Sequence, residues 1–206
     1  MRWFHAKSEA VMVATESLKK ELIDHSFDNI TMWTRGVDVD LFNPDRPKVI
    51  HEQKPVLLYA GRLAVEKNIN AFLELKFDCV KYVVGIGPDL QTLRKKYPEV
   101  KFVGRKSGEE LASYYASADV FVFPSKTDTF GLVMLEALSC GVPVAAYPVT
   151  GPVDVIGKSG VGVLHNKLEV AVMEALNIPK TKCREYALNY SWTTVAKIFV
   201  DNLAKI

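Results

Sequence analysis

Apolar and polar positions follow two rhythms along this chain, and the rhythms take turns. Short apolar runs rich in β-branched and aromatic residues recur: AVMVA (10–14), NITMWT (29–34), VLLYAG (56–61), CVKYVVG (79–85), VKFVG (100–104), DVFVFP (119–124), VPVAAYP (142–148) and GVGVLH (160–165). Their length and their glycine, proline or polar borders predict strands. Between them lie stretches with helical spacing: TESLKKELIDH (15–25), VEKNINAFLELK (65–76), PDLQTLRKKY (88–97), GEELASYYASA (108–118) and FGLVMLEALSCG (130–141). Thr15 is placed to cap the first of these. Residues 167–206 read as helical, with breaks near Pro179 and Ser191. Segment 41–55 holds three prolines and little periodicity and reads as a linker.

Strand, helix and strand joined by short loops predict βαβ units. The expected fold is therefore α/β, a Rossmann-like, doubly wound parallel sheet with helices on both faces. Such sheets bind ligands beyond the carboxyl ends of their strands. The loops after 56–61, 79–85, 100–104, 119–124 and 142–148 are thus the places to look for chemistry.

Composition narrows the class. The 206 residues are 49% hydrophobic and 24% charged, with a formal net charge of +2. This suits a globular protein and gives no basic surface for nucleic acid, so no nucleic-acid partner is expected. Cys79, Cys140 and Cys183 are an odd set without CxxC spacing. They are expected to be free core thiols in a reducing compartment. The four histidines share no ligand spacing, and no metal site is expected. Met1 to His5 lack a leader pattern, and no apolar run approaches the ~20 residues that span a bilayer. The expected location is cytoplasmic, with peripheral association at the inner membrane face left open.

The most informative stretch is SKTDTFGLVMLEALSCGVP (125–143). A strand end delivers the amides of Phe130, Gly131, Leu132 and Val133, with Thr129 before them, to the start of a helix, where free N–H groups and the helix dipole favour an anion. Asp128 precedes the helix, and Glu136 lies seven intervening residues further on. Their carboxylates can accept hydroxyl hydrogen bonds from a polyhydroxylated ligand. As local features alone they would be a helix cap and a solvated side chain. In AGRLAVEKN (60–68), Arg62 and Lys67 follow a strand end and suit a diphosphate. Gly85-Ile86-Gly87-Pro88 offers half of a dinucleotide fingerprint without its third glycine. Gly151-Pro152 reads either as a wall of the site or as a turn.

Taken together, RGVD (35–38), LLYAGRLAVEKN (57–68), VGIGP (84–88), FVGRKSGEELASYYASADVFVFPS (102–125) and DTFGLVMLEALSCGVPVAA (128–146) resemble the carboxyl-terminal, donor-binding domain of retaining GT-B glycosyltransferases of family GT4. YSWTTVAKIFVDNL (190–203) is similar to that family's last helix. The family signature is Glu, seven residues, Glu. Here aspartate, one methylene shorter, occupies the first position as Asp128, and Glu136 the second.

The resemblance implies roles. Arg62 and Lys67 hold the diphosphate and stabilise the leaving nucleotide. Gly61, Gly87, Thr129 and the amides of Phe130, Gly131 and Leu132 lie against the donor. Glu136 takes the ribose hydroxyls, Asp128 the transferred sugar, and the backbone near Arg105 and Lys106 the base. It also implies no cofactor or metal beyond the nucleotide-diphosphate sugar itself, a UDP, GDP or ADP sugar, and a lipid or saccharide acceptor. The implied division is 1–49 as a remnant of the acceptor-side domain with linker, 50–190 as the nucleotide-sugar domain and 191–206 as the final helix. The rest of an amino-terminal domain is then a required partner, and the chain alone is expected to bind donor without transferring sugar. A nucleotide-binding module without catalysis and a nucleotide-sugar epimerase of the same architecture are the alternative readings.

Overall fold

The computed structural model describes residues 2–5 and 7–203. Its centre is a six-stranded parallel sheet built from β3 (Val56–Ala60), β4 (Val80–Val84), β5 (Lys101–Gly104), β6 (Val120–Phe123), β7 (Val144–Ala146) and β8 (Gly162–Leu164). Across the sheet the order is β5-β4-β3-β6-β7-β8. The chain winds outward one way from β3 and then restarts at β6 in the other direction. The switch point, where crossovers leave opposite faces and open a crevice, therefore lies between β3 and β6.

The two central strands are buried along their whole length. Their side chains alternate between two cores. Val56, Leu58, Ala60, Phe121 and Phe123 face one, and Leu57, Tyr59, Val120 and Val122 the other. Both faces are apolar because both are covered by helices, which is why these strands read as continuous hydrophobic runs. On the first face lie α5 (Gly108–Ala116), α6 (Leu132–Ser139) and α9 (Lys180–Leu188); on the second lie α3 (Ile69–Leu73) and α8 (Leu168–Ala175). The Arg184 guanidinium on α9 donates to the carbonyls of Val39, Phe42 and Ser139 at 2.9–3.0 Å, fastening segment 41–55 to the end of α6. That segment carries no helix or strand, as its prolines predict.

The first residues form a separate small unit. β1 (Val11–Val13) and β2 (Ile30–Met32) pair in parallel across α2 (Glu16–Asp24). Thr15 caps α2, its hydroxyl accepting from the Leu18 amide. Two ties hold this unit. Ser17 donates through its amide and hydroxyl to Asp154 Oδ1, at 3.1 and 2.8 Å, on α7 (Thr150–Val155). The closing helix α10 (Trp192–Leu203) returns to it, with Phe199 4.8 Å from Trp33 between ring centroids and Asn202 donating to Met32 O. Residues 204–206, the end of the expected helix 191–206, lie outside the described residues.

The expected elements appear with trimmed ends, α4 (Leu90–Lys96) among them. Four features differ, and the first two have a physical cause. The helix expected over 65–76 is a single 3-10 turn, Val65–Lys67, followed by α3. Asn68 breaks it in the left-handed conformation, φ 52°, because its side chain donates to Pro124 O, 3.0 Å away across the switch point. Residues 150–155, read as wall or turn, form α7, with Pro152 in the first turn where a missing N–H is harmless. A short amino-terminal helix, α1 (Arg2–His5), was not expected. Cys140 and Cys183 are buried as expected, whereas Cys79 is only half-buried at the start of β4.

The loops after β3 and β4 continue the sheet as touching backbones. Gly61 N donates to Val84 O and Leu63 N to Ile86 O, both at 3.0 Å, while Gly85 N donates to Gly104 O at 2.8 Å. A Cβ on Gly85 would collide with Gly61 O, and one on Gly87 with Leu63 O. Gly85 also sits at φ 147°, which side chains rarely adopt. Gly104 has φ 77° but open space around it. Gly104→Ala should therefore lower stability by about 1–2 kcal/mol, the strain alone. Gly85→Ala adds a backbone collision and should cost about 3 kcal/mol or more. Urea midpoints of the two variants check this; equal losses would mean that the loops are not packed backbone to backbone.

Candidate functional site

Two adjoining cavities open at the carboxyl ends of the strands, on either side of the β3–β6 switch point. The larger, about 710 Å³, lies over the ends of β3 and β4 and reaches α5 and α6. The smaller, about 380 Å³, lies over β3, β6 and the start of α6. Ala60, Gly61, Arg62 and Val133 border both. The residues expected against the donor all border one or the other: Gly61, Arg62, Gly87, Arg105, Lys106 and Glu136 the larger; Gly61, Arg62, Lys67, Asp128, Thr129, Phe130, Gly131 and Leu132 the smaller; Gly151 and Pro152 border neither.

The smaller cavity is framed by the clasp between the 3-10 turn and the loop after β6. Asn68 reaches Pro124 O, Thr127 Oγ1 donates to Glu66 O at 3.4 Å, and Lys67 Nζ pairs with Asp128 Oδ1 at 2.6 Å. Below the loop, Gly151 on α7 packs so closely that a Cβ would lie 2.6 Å from Asp128 O. The Gly151-Pro152 turn thus supports the wall from behind. Gly131, at φ 81°, leads the chain into α6 between Phe123 and Met134. The first α6 amides, Leu132 and Val133, have no intrahelical partner and border this cavity. With Arg62 and Lys67 opposite, the region concentrates positive potential where an anion can approach. The Arg62 side chain is mostly exposed, with only a loose contact to Glu66 at 3.8 Å.

In the larger cavity Glu136 is set just over one turn into α6. Tyr115, fully buried on α5, donates its hydroxyl to Glu136 Oε2 at 2.9 Å. Burial raises the Glu136 pKa above its usual value, against the opposing effect of the Tyr115 bond. Burial first, and then the Glu136 charge, raise the Tyr115 hydroxyl well above its own, keeping it a donor. Lys106 pairs with Glu110 at the rim, beside Arg105. Val84, Ile86, Leu111 and Val133 give apolar walls suited to a flat ring.

The sequence missed several residues of this site. Tyr115, Tyr59 (whose hydroxyl donates to Arg62 O at 2.7 Å), Asn68, Ser125 and Arg35 all border or brace it. All five fall inside stretches that carry the family resemblance, but only contacts between segments distant in sequence show what each side chain does.

A doubly wound sheet with its cleft at the switch point, and a small parallel unit held beside it by the last helix, is the carboxyl-terminal architecture of GT-B glycosyltransferases. The structure matches sucrose-phosphate synthase from Thermosynechococcus elongatus with a TM-score of 0.83 at 24% identity, over 97% of this chain and 58% of that one. The family model of glycosyl transferases group 1 matches residues 43–177, and the chain belongs to that family. It is 36% identical over 153 residues to a GDP-mannose-dependent alpha-mannosyltransferase of Corynebacterium glutamicum, covering 70% of this chain and 37% of the relative. It is 34% identical over 183 residues to a sulfoquinovosyl transferase of Arabidopsis thaliana, covering 78% and 36%. The chain thus spans little more than a third of the length of these relatives.

The environment of Glu136 has a pH signature. Its folded pKa lies above the unfolded one, so the folded state binds more protons between the two and stability falls as pH rises through that interval. Glu136→Gln keeps an acceptor for Tyr115 and removes the charge. Its melting temperature should exceed that of the unsubstituted chain at pH 7–8, and the gap should close as pH falls toward about 4, where both states are protonated. Melting curves across pH 4–8 test this; a gap independent of pH would overturn it.

Proposed function

We propose that this chain is the donor-binding part of a glycosyltransferase that moves a hexosyl group from a nucleoside-diphosphate sugar to a lipid or saccharide hydroxyl. The observation that carries the reading is the convergence of Arg62, Lys67, Asp128 and the α6 amino terminus on one cavity that runs into the Glu136 cavity. The larger cavity takes the nucleoside, with the base between Gly87 and Arg105 and the ribose on Glu136. Arg62 stands between the two cavities, where a diphosphate would bridge them. The sugar then lies in the smaller one, near Asp128, Thr129 and Phe130.

In this reading the bond between the sugar's anomeric carbon and the diphosphate oxygen breaks, with its electron pair passing to the phosphate. Arg62, Lys67 and the α6 amides stabilise that growing charge without reorganising, the role that a divalent cation plays elsewhere, so we propose no resident metal. The acceptor oxygen bonds to the anomeric carbon on the face the phosphate leaves, and its proton passes to the departing diphosphate. The outcome is retention, as in family GT4. A third cavity of about 450 Å³, between α2 and the 126–130 loop, adjoins the sugar side and suits the acceptor's approach.

We further propose the division 1–49, 50–190 and 191–206, with the first part the remnant of an acceptor-side domain with its linker and the last the closing helix, and a cytoplasmic site of action with peripheral membrane contact. Among the described residues no helix is long and apolar enough to cross a membrane.

Calorimetric titration of this chain with UDP, GDP and ADP tests the donor site. One of them should bind, and both Arg62→Ala and Glu136→Ala should weaken that binding about tenfold or more, the scale of one lost charge-assisted contact. Absence of binding by all three, or unchanged binding in both variants, would sink the proposal.

A further inference from the structure

Two buried oxygen atoms in the smaller cavity have no partner. Ser125, two residues beyond the end of β6, is only 2% exposed, and its hydroxyl has no hydrogen bond among the described residues. Asp128 places Oδ1 on Lys67, but its Oδ2 is also buried and unpartnered. Both residues border the same cavity. Buried polar atoms are almost always satisfied, and those that are not call for an explanation. Neither atom is required by the local fold: the loop is already held by Asn68, Thr127 and the Lys67 pair.

The chemistry of the pair selects its occupant. An ionised carboxylate oxygen only accepts, whereas a serine hydroxyl both donates and accepts. A ligand that satisfies both must bring an O–H group to Asp128 and a second oxygen to Ser125. A phosphate does not qualify, since the Asp128 charge repels it and Arg62 offers it a better place nearby. Neighbouring hydroxyls of a sugar ring do qualify. The apolar lining from Tyr59, Phe123, Pro124 and Phe130 suits the C–H edges of such a ring.

We propose that Ser125 is a specificity-determining residue of the donor site, whose hydroxyl and Asp128 Oδ2 together read adjacent hydroxyl groups of the transferred sugar. This rests on the donor-site reading above and extends it to a residue outside the two-acid signature. The pairing orients the donor, with diphosphate toward Arg62 and sugar hydroxyls toward the end of β6. It also gives aspartate at position 128 a working partner, since the sugar is held by two groups rather than by one longer acid.

The test is calorimetry on this chain with UDP, GDP and ADP, each beside its sugar ester (UDP-glucose, GDP-mannose, ADP-glucose), for the unsubstituted protein and Ser125→Ala. Ser125→Ala should bind the preferred nucleoside diphosphate within about twofold of the original. It should lose about tenfold in affinity for the sugar ester. Its melting temperature should not fall, because an unpaired buried hydroxyl has been removed. A deoxy-sugar ester lacking the hydroxyl that Ser125 reads should bind both proteins equally.

Equal weakening of diphosphate and sugar ester, together with a lower melting temperature, would make Ser125 a structural residue and overturn the inference. So would an unchanged affinity for the sugar ester, or a sugar that adds nothing to binding in the unsubstituted chain. If no nucleoside diphosphate binds the unsubstituted chain, the donor-site reading itself falls and takes this pairing with it. Intact diphosphate binding with no effect of Ser125→Ala removes the pairing alone.

Discussion

The site depends on a clasp across the switch point of the sheet. Asn68 leaves the helical pattern, at φ 52°, to donate to Pro124 O. That one bond joins the loop after β3 to the loop after β6, two segments more than fifty residues apart in sequence. Most of the chemistry in the smaller cavity hangs on these two loops: Arg62 and Lys67 on one, Ser125, Asp128 and the entry to α6 on the other. Left-handed backbone is tolerable at asparagine, whose short side chain hydrogen-bonds locally. Here the side chain turns that tolerance into a tertiary link.

Charge is divided by position rather than balanced pair by pair. Lys67 is matched by Asp128 at 2.6 Å, with each side chain 21–30% exposed, so neither stands as a bare buried charge. Arg62 is left open to solvent and only loosely met by Glu66. Glu136, on the far side of Arg62, is instead kept in a setting that disfavours its charge, with Tyr115 as its hydrogen-bond donor. An arginine with only a loose partner, between a matched pair and a partly desolvated carboxylate, leaves the cleft with an open cation in its middle and a carboxylate on either side. That arrangement supports the proposed ligand, a nucleoside-diphosphate sugar, which is charged in its middle and hydroxylated at both ends.

Much of this was legible in the chain. VLLYAG and DVFVFP read as buried parallel strands because both their faces are covered, and loops at strand ends collected the glycines, cations and acids that a crevice needs. The residues expected against the donor fall on the rim of one of two adjoining cavities. What escaped was set by contacts between distant segments. The periodicity of VEKNINAFLELK is helical throughout, and nothing local reveals that Asn68 will prefer a carbonyl in the loop after β6. Gly151-Pro152 is turn-like by composition, yet a helix begins there because glycine lets it dock under Asp128 O. Tyr115 and Ser125 are ordinary core residues in their own segments and acquire meaning only from the carboxylate or cavity that the fold brings beside them.

The glycines and the unpaired oxygens call for opposite kinds of explanation. Gly85-x-Gly87 invites a ligand-based reading, as half of a nucleotide fingerprint. In the structure both glycines already have sufficient cause, since Gly61 O and Leu63 O occupy the space that a side chain would need. A small residue forced by backbone contact would be required with or without a ligand, so it carries little weight for function even where it borders the cleft. Ser125 and Asp128 Oδ2 differ in this respect. Packing would be as good or better with an apolar atom in place of a buried, unpartnered hydroxyl. Nothing within the described fold uses either oxygen, and both lie on one cavity beside a fixed cation. Features that the fold explains describe the scaffold. Those it leaves unexplained, and would be more stable without, point to what the scaffold holds.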